Sequence, residues 1–188
     1  MYLIVGLGNP EPEYSNTRHN MGFDVINKLS EKYDILVDKK GLDSFYGIGQ
    51  INGKKVILVK PQTYMNLSGE AIIKFVNYYK IDKEEIIIIY DDIDIEPGSV
   101  KIRKKGSAGT HNGMKSVVEN LKTEEFARIR IGTGKPENKN ELINYVISKL
   151  SKDEYKNLES GIELGVNAVI QILENGIDIA MNKTNSKL

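Results

Sequence analysis

Three polar residues in this chain are of the types that can activate a water molecule. Asn9 follows a short apolar stretch at 2–6, and His19 lies in the loop after it. Asp92 ends a second apolar stretch, 86–90. Ligands of open α/β sheets bind beyond the carboxyl ends of the strands, so we expect these residues to share one rim. A histidine can act as general base, a carboxylate can orient it, and an amide can donate to an oxyanion. The pattern predicts a hydrolytic site.

Each of these residues also has a purely structural interpretation. His19 is as typical of a hydrogen-bonded loop histidine as of a base. The aspartates at 91–92 can close a turn. Asn66, His111 and Asn112 can each cap a following helix. Their shared location at one sheet edge is the reason to favour chemistry.

Composition excludes several other classes of protein. The 188 residues suit one domain, and 40% hydrophobic with 28% charged residues is typical of a globular protein. The absence of cysteine excludes disulfides, a cysteine nucleophile and thiolate metal sites. Two histidines alone argue against a tight zinc site. We find no signal peptide and no apolar run of ~20 residues, and we expect a cytoplasmic protein.

Glycine-rich stretches do not match cofactor-binding motifs. After Gly6 and Gly8, the third glycine of the dinucleotide fingerprint is replaced by Glu11. The stretch at 132–135 lacks the P-loop spacing, and no Gly-x-Ser-x-Gly elbow is present. We therefore expect neither a nucleotide cofactor nor a serine acyl-enzyme.

Basic residues alternate along two predicted strands, although the net charge is zero. Lys101, Arg103 and Lys105 share one strand face, and Arg128 and Arg130 share another. If the strands are neighbours, a basic patch forms beside the Asp92 rim. A solvated face with scattered ion pairs is the alternative.

Element types alternate along the chain, which predicts an α/β fold. We predict a single domain, 1–181, with a mixed, largely parallel twisted sheet covered by helices on both faces. The predicted strands are 2–6, 44–51, 55–59, 86–90, 100–104 and 126–131. The predicted helices are 20–33, 68–80, one ending at 121, and one from 151 to 176. We expect a mobile surface loop at 134–140 and a polar, frayed tail at 182–188.

Five blocks of the sequence resemble the signatures of the bacterial peptidyl-tRNA hydrolase family. The first block is IVGLGNP (4–10) with TRHNMG (17–22), and the second is KPQTYMNLSG (60–69). The others are DD (91–92) with PG (97–98), GSAGTHNG (106–113) and RIRIG (128–132), and all five follow the family's order and spacing. The resemblance covers about residues 2–180. Thr110 departs from it, because many members have glycine there, and we expect a less free backbone before His111.

The resemblance implies a monomeric α/β hydrolase without cofactor or metal. It would cleave the ester between a nascent peptide and the terminal ribose of a tRNA that has left the ribosome, which recycles the tRNA. Motif position implies that His19 is the catalytic base, Asp92 its orienting partner and Asn9 a further catalytic residue. The residues assigned to substrate binding are Tyr14, Asn20, Tyr64, Met65, Asn66, His111 and Asn112. The residues assigned to tRNA phosphates are Lys101, Arg103 and Arg130.

Two other functions remain open from the sequence. One is a non-catalytic RNA-binding protein on the same fold, which a turnover assay would distinguish. The other is a peptidase or nucleoside hydrolase of similar architecture, because a fold does not determine a function. Loss of activity on chelation of metal would favour the latter.

Overall fold

A seven-stranded mixed sheet forms the centre of the computed structural model, which describes residues 1–185. The strands are β1 (Tyr2–Gly6), β2 (Lys39–Gly41), β3 (Ser44–Ile51), β4 (Lys54–Pro61), β5 (Ile86–Asp92), β6 (Val100–Arg103) and β7 (Ala127–Gly132). Their order across the sheet is β2-β3-β4-β1-β5-β7-β6. The four central strands β4, β1, β5 and β7 are parallel, and β2, β3 and β6 add antiparallel edges. The predicted sheet is confirmed.

Helices cover both faces of the sheet, as predicted. They are α1 (Met21–Tyr33), α2 (Ser68–Tyr79), α3 (Asn112–Leu121), α4 (Leu142–Ile147), α5 (Lys152–Asn175) and α6 (Ile177–Asn185). Side chains of α1, α5 and α6 share one apolar cluster with the sheet, and those of α2 and α3 share the other. Within 1–185, no helix has the length and apolar character needed to cross a bilayer.

The central strand β5 is buried along its whole length. Successive side chains of a strand point to opposite faces, so Ile87 and Ile89 pack in the α1–α5 cluster while Ile86 and Ile88 pack in the α2–α3 cluster. Each fully buried isoleucine contributes roughly 1.5–3 kcal/mol. The same alternation places the Asp91 side chain on the α1 side of the strand end.

A close backbone contact fixes the start of α1 against the end of β1. A Cβ atom on Gly6 would lie 2.1 Å from the carbonyl oxygen of Gly22. No side chain fits there, so the glycine pair lets the helix approach the strand end. The 3₁₀ turn Arg18–Asn20, which directly precedes α1, is thereby held at the carboxyl edge of the sheet.

Two features of the C-terminal third differ from the predictions. The six-residue helix α4 follows the predicted 134–140 loop, and it is too short to show a helical period. The prediction of a frayed tail is wrong for residues 182–185, which belong to α6. The Asn185 side chain accepts from the Ile102 N–H and donates to the Ile102 carbonyl, both at 2.9 Å, and so pairs with the edge strand β6. Residues 186–188 of that prediction lie outside the described residues.

Asp24 places a half-buried titratable group between α1 and α5. Burial raises the pKa of its carboxyl to about 6, although a hydrogen bond from Tyr155 and the cations of Lys60 and Lys28 oppose the shift. In the unfolded chain the same group titrates near 3.9. The folded state therefore binds the proton more tightly, and the resulting stabilisation is lost as pH rises from about 4 through 6.

We expect Asp24→Asn to increase stability at pH 8 and to change it little at pH 4. The amide keeps the size and the acceptor for Tyr155 but removes the buried charge. The expected gain is about 1–3 kcal/mol, and urea unfolding at the two pH values measures it. Asp34→Asn, at the exposed end of α1, is the matched control. An equal effect of Asp24→Asn at both pH values would contradict the assignment.

Candidate active site

A cavity of about 430 Å³ lies at the carboxyl ends of the parallel strands. The end of β5 forms its floor, with Tyr90 and Asp91. The glycine-rich loop 106–112 forms one wall, and α4 contributes a second. His19 reaches the cavity from the turn before α1. This is the sheet edge at which the sequence predicts a site.

Asp91, and not Asp92, is the carboxylate that orients His19. The His19 Nδ1 atom lies 2.8 Å from Asp91 Oδ2, and His111 Nε2 lies 2.9 Å from Asp91 Oδ1. The prediction of a His19–Asp92 pair is therefore wrong. Adjacent residues of a strand point to opposite faces, and only the odd positions of β5 face α1 and its preceding turn.

The hydrogen bonds determine which nitrogens of the two rings carry protons. An ionised carboxylate only accepts, so both ring nitrogens that face Asp91 carry hydrogen. His111 Nδ1 accepts from the Met114 N–H at 3.2 Å and caps α3, so His111 is the neutral Nε2–H tautomer. His19 uses Nδ1–H for Asp91, which leaves the lone pair of His19 Nε2 free to take a proton.

The charge of Asp91 makes His19 more basic in spite of its burial. Burial lowers the pKa of the His19 ring, but the charge of Asp91 and the hydrogen bond to it outweigh burial, and the net pKa lies above 6.5. Burial also acts to raise the pKa of Asp91, whereas His19 and His111 lower it well below its usual range. Asp91 therefore remains an anion beside His19 across the physiological pH range.

Asp92 orients an arginine instead of a histidine. Its Oδ2 accepts from Arg130 Nε at 2.6 Å, and its Oδ1 accepts from the Asp94 N–H at 2.8 Å. Both carboxylate oxygens are thus engaged with the basic side of the cavity and with the turn after β5. The terminal nitrogens of Arg130 have no partner among residues 1–185 and can meet an anion.

Hydrogen bonds hold Asn9 in place and leave its side-chain nitrogen, Nδ2, without a partner among residues 1–185. Asn20 accepts from the Asn9 N–H at 2.8 Å and donates to the Asn9 carbonyl at 2.9 Å. Asn9 Oδ1 accepts from the Met65 N–H at 3.1 Å, which leaves Asn9 Nδ2 as a donor. The prediction that Asn20 binds substrate is wrong, because both of its polar atoms are used on Asn9. Both ring nitrogens of His111 are also engaged within the protein, but its ring lines the cavity, so its contact with substrate stays a prediction.

The other predicted substrate residues differ in position and exposure, and of them only Asn112 lines the cavity. Met65 is buried and touches the position of Gly113 at the start of α3. Tyr64, Asn66 and Asn112 are exposed, and the Asn66 and Asn112 amides form no hydrogen bonds within 1–185. Tyr14 lies in a separate 3₁₀ turn, Pro12–Tyr14, where its carbonyl accepts from Thr17. The contacts of these residues with substrate stay predictions.

The basic strands are neighbours, as the patch prediction requires. Strands β6 and β7 pair so that Lys101 faces Arg130 and Arg103 faces Arg128. Arg103, Lys105 and Arg130 line the cavity. Lys101 does not line it and instead donates to the Asn185 carbonyl.

Arg128 is excluded from the exposed patch because it is 1% exposed. Its guanidinium donates to the carbonyls of Glu124 and Ser107 and lies over the Phe126 ring. Arg128 therefore anchors the glycine-rich loop. In that loop Thr110 does not have a positive φ, so its side chain causes no backbone strain there. The less free backbone expected before His111 stays a prediction.

His19, Asp91 and His111 also have the residue types of a metal site, with ligand atoms within 4.8 Å of one another. The hydrogen bonds argue against that use. A metal on His111 Nε2 would require hydrogen on Nδ1, where the Met114 N–H already donates. Binding a metal would break the cap of α3.

Sequence reasoning missed two residues of this site. The sequence-based prediction assigns the orienting role to Asp92 instead of Asp91. The two side chains point to opposite faces of β5, so the position of α1 is needed to choose between them. Arg18, beside His19, carries no sequence signal of its own and becomes visible only through its contact with α4, Cζ lying 3.7 Å from the Tyr145 ring centroid.

Comparison with known proteins agrees with this geometry. A family model described as peptidyl-tRNA hydrolase matches residues 3–188. Peptidyl-tRNA hydrolase of Clostridium acetobutylicum is 52% identical over 185 residues, which is 98% of each chain. That of Clostridium botulinum strain Hall is 49% identical, covering 98% of this chain and 97% of the relative.

Among solved structures, peptidyl-tRNA hydrolase from Acinetobacter baumannii superposes with a TM-score of 0.92 at 36% identity. The match covers 99% of this chain and 95% of that one. The family model and these relatives cover nearly the whole chain, and the chain belongs to the peptidyl-tRNA hydrolase family.

Proposed function

We propose that this protein hydrolyses peptidyl-tRNA at the ester that joins the peptide to the terminal ribose, and so recycles tRNA released from ribosomes. One observation carries the proposal: His19 donates Nδ1–H to the buried Asp91, which leaves Nε2 as a free base at the cavity. Family membership supports the choice of substrate.

In the proposed reaction, His19 Nε2 takes a proton from water as the water oxygen bonds to the ester carbonyl carbon. The resulting imidazolium is stabilised by Asp91, which does not itself take the proton. Collapse of the tetrahedral intermediate breaks the bond between the carbonyl carbon and the ribose oxygen. The ribose oxygen then receives the proton from His19, which restores the free base.

Amide donors are proposed to stabilise the oxyanion and to hold the peptide. Asn9 Nδ2 is the most firmly held of them, because Asn20 and Met65 fix the rest of that residue. Asn66 and Asn112 are exposed, and Asn112 lines the cavity. A site that pairs with the first peptide amide rejects substrates that lack it, because its own polar groups are then left unpaired. Such pairing would separate peptidyl-tRNA from aminoacyl-tRNA.

The basic side of the cavity is proposed to hold tRNA phosphates through Arg103 and Arg130, with Lys105 beside them. Asp92 supports this role by accepting from Arg130 Nε. The terminal nitrogens of Arg130 then remain available, within residues 1–185, to bind a phosphate. Lys101 contributes less, since its ammonium is bonded to Asn185. We further propose a monomer that acts in the cytoplasm without cofactor or metal.

The test is hydrolysis of N-acetylaminoacyl-tRNA compared with aminoacyl-tRNA, each with and without a chelator. We expect release of tRNA from the N-acetylated substrate only, unaffected by chelation. Binding without turnover would indicate the non-catalytic RNA-binding alternative. Loss of activity on chelation would favour a metal-dependent hydrolase instead.

We expect Arg103→Ala and Arg130→Ala each to raise KM several-fold and to flatten its salt dependence. Each phosphate contact that is lost reduces the slope of log K against log salt by about 0.7–0.9. KM measured between 50 and 200 mM KCl tests this, with the exposed Lys54→Ala on the far β3–β4 hairpin as control. Unchanged slopes for both arginine variants would refute the assignment.

A further inference from the structure

Arg18 takes no part in the proposed chemistry, yet its side chain is only 12% exposed and lies directly beside His19. Its guanidinium covers the Tyr145 ring, with Cζ 3.7 Å from the ring centroid. One terminal nitrogen donates to the Tyr145 carbonyl and the other to Glu154 Oε2, both at 3.2 Å. A single side chain therefore joins the His19 turn to α4 and α5.

Tyr145 extends this connection to the end of β7. Its hydroxyl donates to the Thr133 carbonyl at 2.7 Å, and Thr133 follows β7 and donates to the Asp92 carbonyl. The apolar side chains of Leu142, Ile143 and Val146, on the same helix, line the cavity. The position of this apolar wall is thus tied to the His19 turn on one side and to the basic strand β7 on the other.

Of the two contacts that Arg18 makes, the contact with Tyr145 is the stronger. Glu154 is half exposed, and exposed ion pairs contribute little. A desolvated arginine stacked on an aromatic ring contributes more, and its planar group loses little freedom on doing so. The segment after α4 is also anchored elsewhere, since Leu150 N–H donates to the Asn16 carbonyl. Arg18 therefore acts on α4 itself more than on the connection that follows it.

We propose that Arg18 is a positioning residue that, through Tyr145, holds α4 as the closed wall of the cavity and so sets the affinity for the acyl–ribose end of the substrate. The inference rests on the proposed function for the identity of that substrate. It predicts an effect on KM, because the wall contacts the ground state and the transition state alike.

The test combines kinetics with hydrogen exchange. We expect Arg18→Lys and Tyr145→Leu each to raise KM for N-acetylaminoacyl-tRNA about tenfold and to keep kcat within threefold. The double variant should raise KM by less than the product of the two single effects, because both single variants remove the same stacking contact. Tyr145→Phe, which keeps the ring, should change KM less. Glu154→Gln and Lys32→Ala are controls; the latter removes a cation 6.0 Å from the Tyr33 ring at the far end of α1.

Hydrogen exchange without substrate gives an independent measurement. Faster exchange of residues 142–148 in Arg18→Lys, with unchanged exchange in β5, is expected. Unchanged exchange there, an unchanged KM, or a loss confined to kcat would each overturn the inference. If the wild-type protein failed to hydrolyse the substrate, the proposed function would fail, while exchange would still decide whether Arg18 holds α4.

Discussion

Replacing His19 by alanine is expected to lower kcat by about 10²–10⁴-fold, which is the usual contribution of a general base. Binding should change little, because the tRNA contacts proposed above lie on β6 and β7. Single-turnover hydrolysis and a separate binding measurement with uncharged tRNA distinguish the two effects.

The pH dependence of kcat/KM provides a second test of the same prediction. The free-base form of His19 predominates above its pKa, which Asp91 raises beyond 6.5 against the effect of burial. Wild-type kcat/KM should therefore rise with pH through a midpoint above 6.5, and the residual activity of His19→Ala should lack that step. Wild-type turnover in the alanine variant would remove His19 from the mechanism.

Asp91→Asn is expected to lower kcat by about 10³–10⁴-fold, the size of effect seen when an orienting aspartate becomes an amide elsewhere. The amide has one acceptor and one donor, whereas both histidines donate to Asp91. One ring must therefore change its tautomer. His111 cannot do so without losing the Met114 cap, so the amide donor should face His19 Nδ1. His19 would then carry its hydrogen on Nε2 and could not act as a base.

Asp92→Asn is the matched comparison, one residue away on the same strand. It leaves His19 and Asp91 intact and weakens only the Arg130 contact. We expect less than a tenfold loss in kcat and a rise in KM. Thermal unfolding of both variants checks that each is folded. A larger loss of kcat for Asp92→Asn than for Asp91→Asn would contradict the assignment of the orienting carboxylate.

The hydrogen bonds of His111 explain why the site has one base although it contains two histidines. The ring centroids lie 4.9 Å apart and both rings share Asp91, but within residues 1–185 only His19 has a nitrogen without a partner. His111 is bonded at both ends, to a carboxylate and to a helix N-terminus. It therefore contributes a fixed donor that keeps Asp91 in place.

The sequence by itself determined the fold class and the edge of the sheet at which the site lies. The apolar stretches of β1 and β5 are local patterns, and polar residues that follow such strands must lie at their carboxyl edge. The Asn52–Gly53 turn and the Ser151–Glu154 capping box are equally local, and both occur in the structure. The residue types needed for general-base chemistry could be identified on the same grounds.

Only the tertiary structure decided which side chains meet. Asp91 and Asp92 are neighbours of one type, and the choice depends on which face of β5 receives α1. The hydrogen bonds of Asn20 to Asn9, and of His111 to Asp91 and Met114, were likewise visible only in the structure. These bonds join segments that are distant in sequence, so no local period or motif encodes them.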